Sequence, residues 1–471
     1  MQDGVLISTD LRRLYSQGDT IDTVGITSLL LLGCLVPPLT PFREIHFLLP
    51  GFRHTIDLKT QELRSDLSCT WSSQINDDVK CDINTQADIV TYVLDETLEN
   101  LCPTKNPIVL FSGGVDSSLL AARLSLMGWT QTSFIHHSLG EEDPDTIVAR
   151  RIADELGIAL DVVPWDIDHG FESITKAASL YSLPFCDHFC VQTHSLSRAL
   201  ISKYGGNRVV FDGAGADGCF GHFGNAYQLR ILYSIPMPIR RILGAPYGLL
   251  KLWRTPSAFE YYCRLMRRSI ATTDLLLSTS QNPLIGIGFY ADPMDIRAIE
   301  SYCHNWISSI AQSNTNSELE LLTVIGLDAP TAARKNNDPL HKGSFIPKYP
   351  FLEHPIVDLA FTRARFWPDN TIPKNVLKHL LSRSISNKYV YRKKMVCAPL
   401  TEQFSHPIFL EHLEAVIEND SPLYGVVNKE LVKKMLGDVT SKKVLADQTY
   451  NFLWAITFCN AWLSQLQNMT Q

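Results

Sequence analysis

The sequence predicts an α/β fold: a doubly wound parallel sheet, a largely helical C-terminal half and a small N-terminal module. Three observations carry this. Ile108-Val109-Leu110-Phe111 is an uninterrupted apolar run, the pattern of a strand buried on both faces, and a Gly turn and a helix-period stretch follow it. Further short apolar runs at 132–136, 160–163 and 208–211 alternate with helix patterns at 146–156 and 190–204, and this alternation is that of a parallel sheet with crossover helices. Beyond residue 230 the pattern is mostly helical.

Taken in order, residues 1–65 form the small module. A helix opens at Thr20-Ile21-Asp22 and runs through Leu32. Pro37, Pro38 and Pro41 then impose an extended path. Leu48-Leu49-Pro50-Gly51 is a turn, and Arg53 to Asp57 is a strand. Residues 66–84 are polar and read as a linker, which leaves 85–471 as the main domain. Thr85 is placed as the cap of a helix from Gln86 to Leu101, with Asp88 in its first turn, where a negative charge suits the helix dipole. Gly157 closes the 146–156 helix and Gly205-Gly206 the 190–204 helix. Amphipathic helices follow at 258–271, 293–312, 355–366, 374–384 and 446–466.

At 471 residues two domains are expected, and 45% hydrophobic residues supply a large core. A net charge of −7 without a long basic run argues against a nucleic-acid partner. Eleven Cys without zinc-type spacing, and no secretory signal peptide, point to reduced thiols in a cytoplasmic protein. The Leu29–Leu32 run is too short to span a bilayer.

The chemistry concentrates at two Gly turns. Ser112-Gly113-Gly114-Val115-Asp116-Ser117-Ser118 lies between a strand and a helix N-terminus, where free N–H groups and the positive helix end suit a phosphate. Gly113 and Gly114 permit close backbone approach, and Ser112, Ser117 and Ser118 add hydroxyls. Asp116 would repel a bare phosphate, so its place there argues for a bridging Mg²⁺. The second turn, Asp212-Gly213-Ala214-Gly215-Ala216-Asp217, also follows an apolar run. Asp116 and Asp217, from two strand ends, are the pair expected to hold one Mg²⁺ among the phosphates.

The Ser-Gly-Gly-x-Asp-Ser string resembles the pyrophosphate loop of the N-type ATP pyrophosphatases, which split ATP between the α and β phosphates. The second turn resembles the Ser-Gly-Glu-Gly-Ala-Asp-Glu passage of the asparagine synthetases, whose β-lactam synthetase and lasso-peptide cyclase relatives also replace its first Glu. The resemblance extends to Thr40-Pro41-Phe42…Leu49-Pro50-Gly51, to Lys335-Asn336-Asn337-Asp338…Tyr349-Pro350-Phe351-Leu352-Glu353, to Pro373-Lys374-Asn375-Val376-Leu377-Lys378 and to Tyr391-Arg392-Lys393-Lys394. It implies an adenine nucleotide α-hydrolase-like sheet. It also implies ATP and Mg²⁺ as cofactors, and a nucleotide site formed by Leu110, Ser112, Gly113, Gly114, Asp116, Ser117, Ser118, Gly213 and Lys394. Lys394 is the residue implied to stabilise charge at the acyl carbonyl and the leaving AMP. The module 1–65 resembles the end of a truncated glutaminase-like domain. Gln2 stands where that family has its nucleophilic Cys, so no glutamine hydrolysis is expected. Ala214 stands where asparagine synthetases have the Glu that handles the acceptor amine, and a methyl group cannot relay a proton.

The implied reaction is AMP-forming amide ligation. A carboxylate substrate, such as a peptide precursor, is adenylated and then captured by an amine within the same substrate to give a lactam or macrolactam. A leader-peptide-processing protein would then be a partner. Three alternatives stand beside it: an ammonia-dependent asparagine synthetase-like enzyme, a tRNA-modifying or sulfur-transferring pyrophosphatase, and a non-catalytic nucleotide-binding relic. Cys186-Asp187-His188-Phe189-Cys190 reads either as a metal site or as substrate-facing residues. His136 and His137 read either as adenine contacts or as a strand cap, and Glu260 as an acid/base group or an exposed helix residue.

Overall fold

The computed structural model describes residues 5–68, 82–165, 174–185, 187–220, 235–244, 293–310, 329–366, 372–392, 404, 407–418, 421–441 and 447–469. The 258–271 helix, Glu260, Cys186, Lys393 and Lys394 lie outside them.

Helix α1 spans Thr23–Leu32, with Asp22 outside it as the cap, accepting from the Val24 N–H at 3.0 Å. Strands β1 (Phe52–Ile56) and β2 (Leu63–Leu67) form an antiparallel pair. β2 was not expected. Its residues are exposed on both faces, so no apolar run marks it, and its last two fall inside the predicted linker. Helix α2 is Ile83–Leu101, and its cap is Asp82 rather than Thr85. Asp82 Oδ1 accepts from the N–H groups of Asn84 (2.8 Å) and Thr85 (3.0 Å). The earlier start moves Asp88 beyond the first turn, where it pairs with Arg383 at 2.6 Å.

The main sheet is α/β as predicted. It comprises β3 (Ile108–Leu110), β4 (Ser133–Ser138), β5 (Leu160–Pro164), β6 (Val209–Phe211) and β7 (Ile346–Lys348), in the order β5-β4-β3-β6-β7 and parallel throughout. Helix α3 (Val115–Leu126) follows β3, and α4 (Pro144–Leu156) follows β4. α4 starts two residues earlier than expected because Asp143 caps it and Pro144, with its φ already set, takes the first helical position. Strand β7 was not foreseen either. Ile346-Pro347-Lys348 carries a proline, which is admissible because, among the described residues, β7 pairs only with β6 and forms an edge.

The central strands β3 and β6 are mostly buried between the two faces, which is why they read as continuous apolar runs. Val109, Phe111, Phe134 and Phe211 share one cluster with α2, α3, α4 and the helix Asn375–Leu381. Ile108, Ile135 and Val210 share another with Leu196 and Leu200 of the helix Cys190–Tyr204, and with Leu340 and Phe345. A third cluster joins Ile26, Leu29 and Leu30 of α1 to the helices Pro407–Glu418, Lys429–Thr440 and Asp447–Met469. The expected helices at 293–312, 355–366, 374–384 and 446–466 appear as Pro293–Ile310, His354–Phe366, Asn375–Leu381 and Asp447–Met469. Among the described residues no helix is long and apolar enough to cross a membrane.

Candidate active site at the switch point

Strands β3, β4 and β5 proceed to one side of the sheet, and β6 and β7 to the other. The order therefore reverses between β3 and β6, and a crevice opens at their C-terminal ends. Both Gly turns sit there. Gly113 adopts φ +70 and packs so closely on α4 that a Cβ would lie 3.0 Å from the Ala149 Cα. Gly114 is the N-cap of α3 and brings no side-chain cap. The first N–H groups of α3 are thus left to an outside acceptor, where the helix dipole favours an anion. Ser117 Oγ accepts from the Ser112 N–H at 3.1 Å and lies 3.0 Å from Ser112 Oγ, which ties the loop across its mouth. Ser118 differs: its side chain is fully buried and its Oγ has no hydrogen-bond partner. Leu110, half-buried at the end of β3, borders the Ile108 cluster.

The second turn packs directly on the first. A Cβ at Gly213 would lie 3.0 Å from Asp116 Cβ and 3.2 Å from the Ser117 nitrogen, so the two turns meet only because glycine stands there. Asp217 lies in the first turn of the short helix Ala216–Phe220.

Among the described residues both predicted carboxylates converge on one cation, and that cation is Lys374. Its Nζ lies 2.8 and 2.6 Å from the two oxygens of Asp116 and 2.7 Å from Asp217 Oδ1. Lys374 sits just before the helix Asn375–Leu381 at φ +58, a left-handed conformation rare for a side chain of this size. Its own N–H donates to the Phe220 carbonyl at 3.1 Å, so the second turn fixes its backbone. Burial opposes the charge on the ammonium. The fields of Asp116 and then Asp217 outweigh that, and the Lys374 pKa rises above its ordinary value. The Asp116 side chain is 18% exposed and that of Asp217 58%, so the second contact is the more screened. Two carboxylates that share one cation are hard oxygen donors of the kind Mg²⁺ takes, so the pair fits the expected ion.

Sequence reasoning placed Lys374 only within a helix-like passage and gave it no role. The available signal was a lysine directly after Pro373 and before a helix. Arg392 was likewise given no role of its own, yet its guanidinium donates to the Gly113 carbonyl at 3.3 Å and lies 3.6 Å from Asp145 in the first turn of α4. Burial raises the Asp145 pKa, with Arg392 opposing the shift. On the other side of the crevice Asp212 Oδ1 accepts from the Ala214 N–H at 2.9 Å, and Asp212 Oδ2 accepts from Asn336 Nδ2. Thr193 Oγ1 donates to Asn336 Oδ1 at 3.0 Å.

The residues with two expectations resolve in part. The His136 ring nitrogens lie 2.9 Å from the Phe111 carbonyl and 3.0 Å from Thr146 Oγ1, so His136 ties β3 to α4 as a cap would. His137 Nε2 is buried without a partner. Asp187 accepts from the Phe189 N–H at 2.9 Å and pairs with Lys335 at 3.6 Å. Among the described residues no group of three His, Cys, Asp or Glu is placed to hold a metal ion.

Comparison with known proteins gives a consistent picture. The asparagine synthase family model matches residues 90–464. A glutamine-hydrolysing asparagine synthetase of Rattus norvegicus is 28% identical over 202 residues, which is 38% of this chain and 35% of that protein. The Homo sapiens enzyme of the same description is 27% identical over 200 residues, again 38% and 35%. The match thus spans about a third of the length of these curated relatives.

Proposed function

The chain belongs to the asparagine synthase family, and from that premise we propose that it is an ATP-dependent, AMP-forming amide ligase. The observation that carries the reading is the convergence of Asp116 and Asp217, from two Gly turns at the switch point, on one cation. A substrate carboxylate attacks the α phosphate, the bond to the β phosphate breaks, and pyrophosphate leaves as an acyl-adenylate forms. The N–H groups of the Ser112–Ser118 loop receive the departing phosphates. Held by Asp116 and Asp217, Mg²⁺ would neutralise their charge. Lys374 stands beside both carboxylates, where a phosphate oxygen would meet its ammonium. An amine then attacks the acyl carbon, and AMP departs. Lys394 is the residue proposed to stabilise the carbonyl oxygen in that step.

Ala214 favours an acceptor other than free ammonia. Its methyl group cannot take a proton, so an amine already positioned within the substrate is the better nucleophile. The proposed products are accordingly lactams or macrolactams, from a carboxylate substrate such as a peptide precursor.

The test is carboxylate-dependent exchange of labelled pyrophosphate into ATP, with Mg²⁺, across a panel of amino-acid and peptide carboxylates. Exchange that appears only with a carboxylate supports the reading. Nucleotide hydrolysis to ADP, or binding without exchange on any carboxylate, rules it out.

A further inference from the structure

The Asp116–Lys374–Asp217 cluster poses a charge problem that the proposed reaction does not resolve by itself. Among the described residues it sets two carboxylates, −2, against one ammonium, +1. The Lys374 side chain is 10% exposed, its N–H is fixed to the Phe220 carbonyl, and its carbonyl accepts from the Lys378 N–H at 2.8 Å. With the backbone pinned at both ends, the ammonium has no ready retreat into water. A divalent ion arriving alone would have to share the same carboxylate oxygens with a cation already 2.6–2.8 Å from them. Like charges at such spacing repel, most strongly on the less exposed Asp116 side. A triphosphate changes the balance, because its oxygens offer the ammonium a second partner at the adjacent helix N-terminus.

We propose that Lys374 makes metal binding conditional on nucleotide: it acts as a resident counter-ion that keeps a divalent ion off Asp116 and Asp217 until ATP draws the ammonium onto its phosphates. The proposal rests on the ATP-dependent reading of this site and adds an order of events to it. Metal enters with nucleotide, and the nucleotide-free enzyme holds no divalent ion there. The ammonium in the meantime offsets part of the charge on the two carboxylates and lessens the repulsion between them.

The probe is Mn²⁺ alone, followed by the loss of its free-ion paramagnetic resonance signal on titration with nucleotide-free full-length protein. Wild type is expected to bind Mn²⁺ weakly at this pair. Lys374→Met is expected to bind one Mn²⁺ about 10- to 100-fold more tightly, and Lys374→Met/Asp116→Asn to lose that gain. Lys374→Arg keeps the charge and is expected to stay weak. The wild-type arm needs no substitution to fold: a tight Mn²⁺ site in nucleotide-free wild type that Asp116→Asn removes would overturn the proposal, as would equal affinities in wild type and a folded Lys374→Met. Because no ATP is present, these outcomes are independent of whether pyrophosphate exchange is found.

Discussion

Asp116 places both oxygens on the Lys374 ammonium from a side chain 18% exposed, whereas Asp217, with Oδ1 2.7 Å from it, has a side chain 58% exposed. A ligand held on both oxygens and shielded from water keeps its direction better, so the two substitutions are expected to differ. Asp116→Asn should lower Mg²⁺-dependent pyrophosphate exchange by about 10³-fold and Asp217→Asn by about 10²-fold, the range expected when one charged partner of a transition-state contact is removed. Near wild-type exchange in either variant would remove that residue from the metal pair. The two lysines separate the half-reactions. Lys374→Ala should reduce exchange and amide product alike, since its ammonium lies beside Asp116, at the end of the crevice proposed to hold the phosphates. Lys394→Ala should keep measurable exchange and lose product by about 10²–10³-fold, as one oxyanion contact costs. Equal loss of both by Lys394→Ala would move that residue to the first step.

Elements whose reason for forming is local were legible. The strand at Ile108, its Gly turn and the helix beyond it could be placed from residue types alone, because a doubly buried strand and a phosphate-type turn each leave an unmistakable run. Two carboxylates could be paired from their loops, but not the lysine between them. Lys374 lies 258 residues from Asp116, and only the packing of the helix Asn375–Leu381 against α3 brings them together. Strand β7 was hidden for the opposite reason, since its identity comes from pairing at the sheet edge and not from its own three residues. Thr85 was given the cap that Asp82 holds because both are good capping types, and only the hydrogen bonds choose between them. Helix α1 offers a test of packing against propensity. A Cβ at Gly25 would lie 1.9 Å from the Thr40 carbonyl oxygen. Thr40 cannot yield easily: it is buried, its Oγ1 lies 2.9 Å from the Phe42 carbonyl and 2.7 Å from that of Ile45, and it accepts from the Phe42 N–H. Helix propensity alone would make Gly25→Ala stabilising by about 1 kcal/mol. Backbone overlap should dominate and give a net loss of about 2–3 kcal/mol in denaturant unfolding. A stabilised variant would mean that α1 and the 37–41 segment slide apart at little cost.

At the scale of the whole molecule, three apolar clusters divide the load. Two sandwich the parallel sheet, and the third joins α1 to the C-terminal helices, where Trp462 Nε1 donates to the Tyr181 carbonyl at 2.9 Å. Burial on this scale has a consequence for pH. His137, near the C-terminal end of β4, has a buried Nε2 without a partner, and burial followed by the neighbouring His136 lowers its pKa to about 4. The unfolded chain would titrate this group near 6.5. Between those values the unfolded state therefore binds the proton that the native state refuses, so stability is full above about 6.5 and is lost as pH falls toward 4. From pH 7.5 to pH 5 this one group should cost about 2 kcal/mol. His136, His188 and His194 are also lowered by burial and add to the loss with the same sign. Carboxylates held below their ordinary range, such as Asp10 and Asp161, weaken the fold only at lower pH, and Asp145, raised by burial, acts with the opposite sign, so the comparison with a His137 variant is what isolates this group. Denaturant unfolding at the two pH values should show the wild-type loss, and His137→Leu should shrink it by about 2 kcal/mol, whatever its effect on stability at pH 7.5. An unchanged difference between the two pH values in that variant would mean that His137 finds a proton acceptor in the folded state, and that the C-terminal end of β4 is wetter than its burial implies.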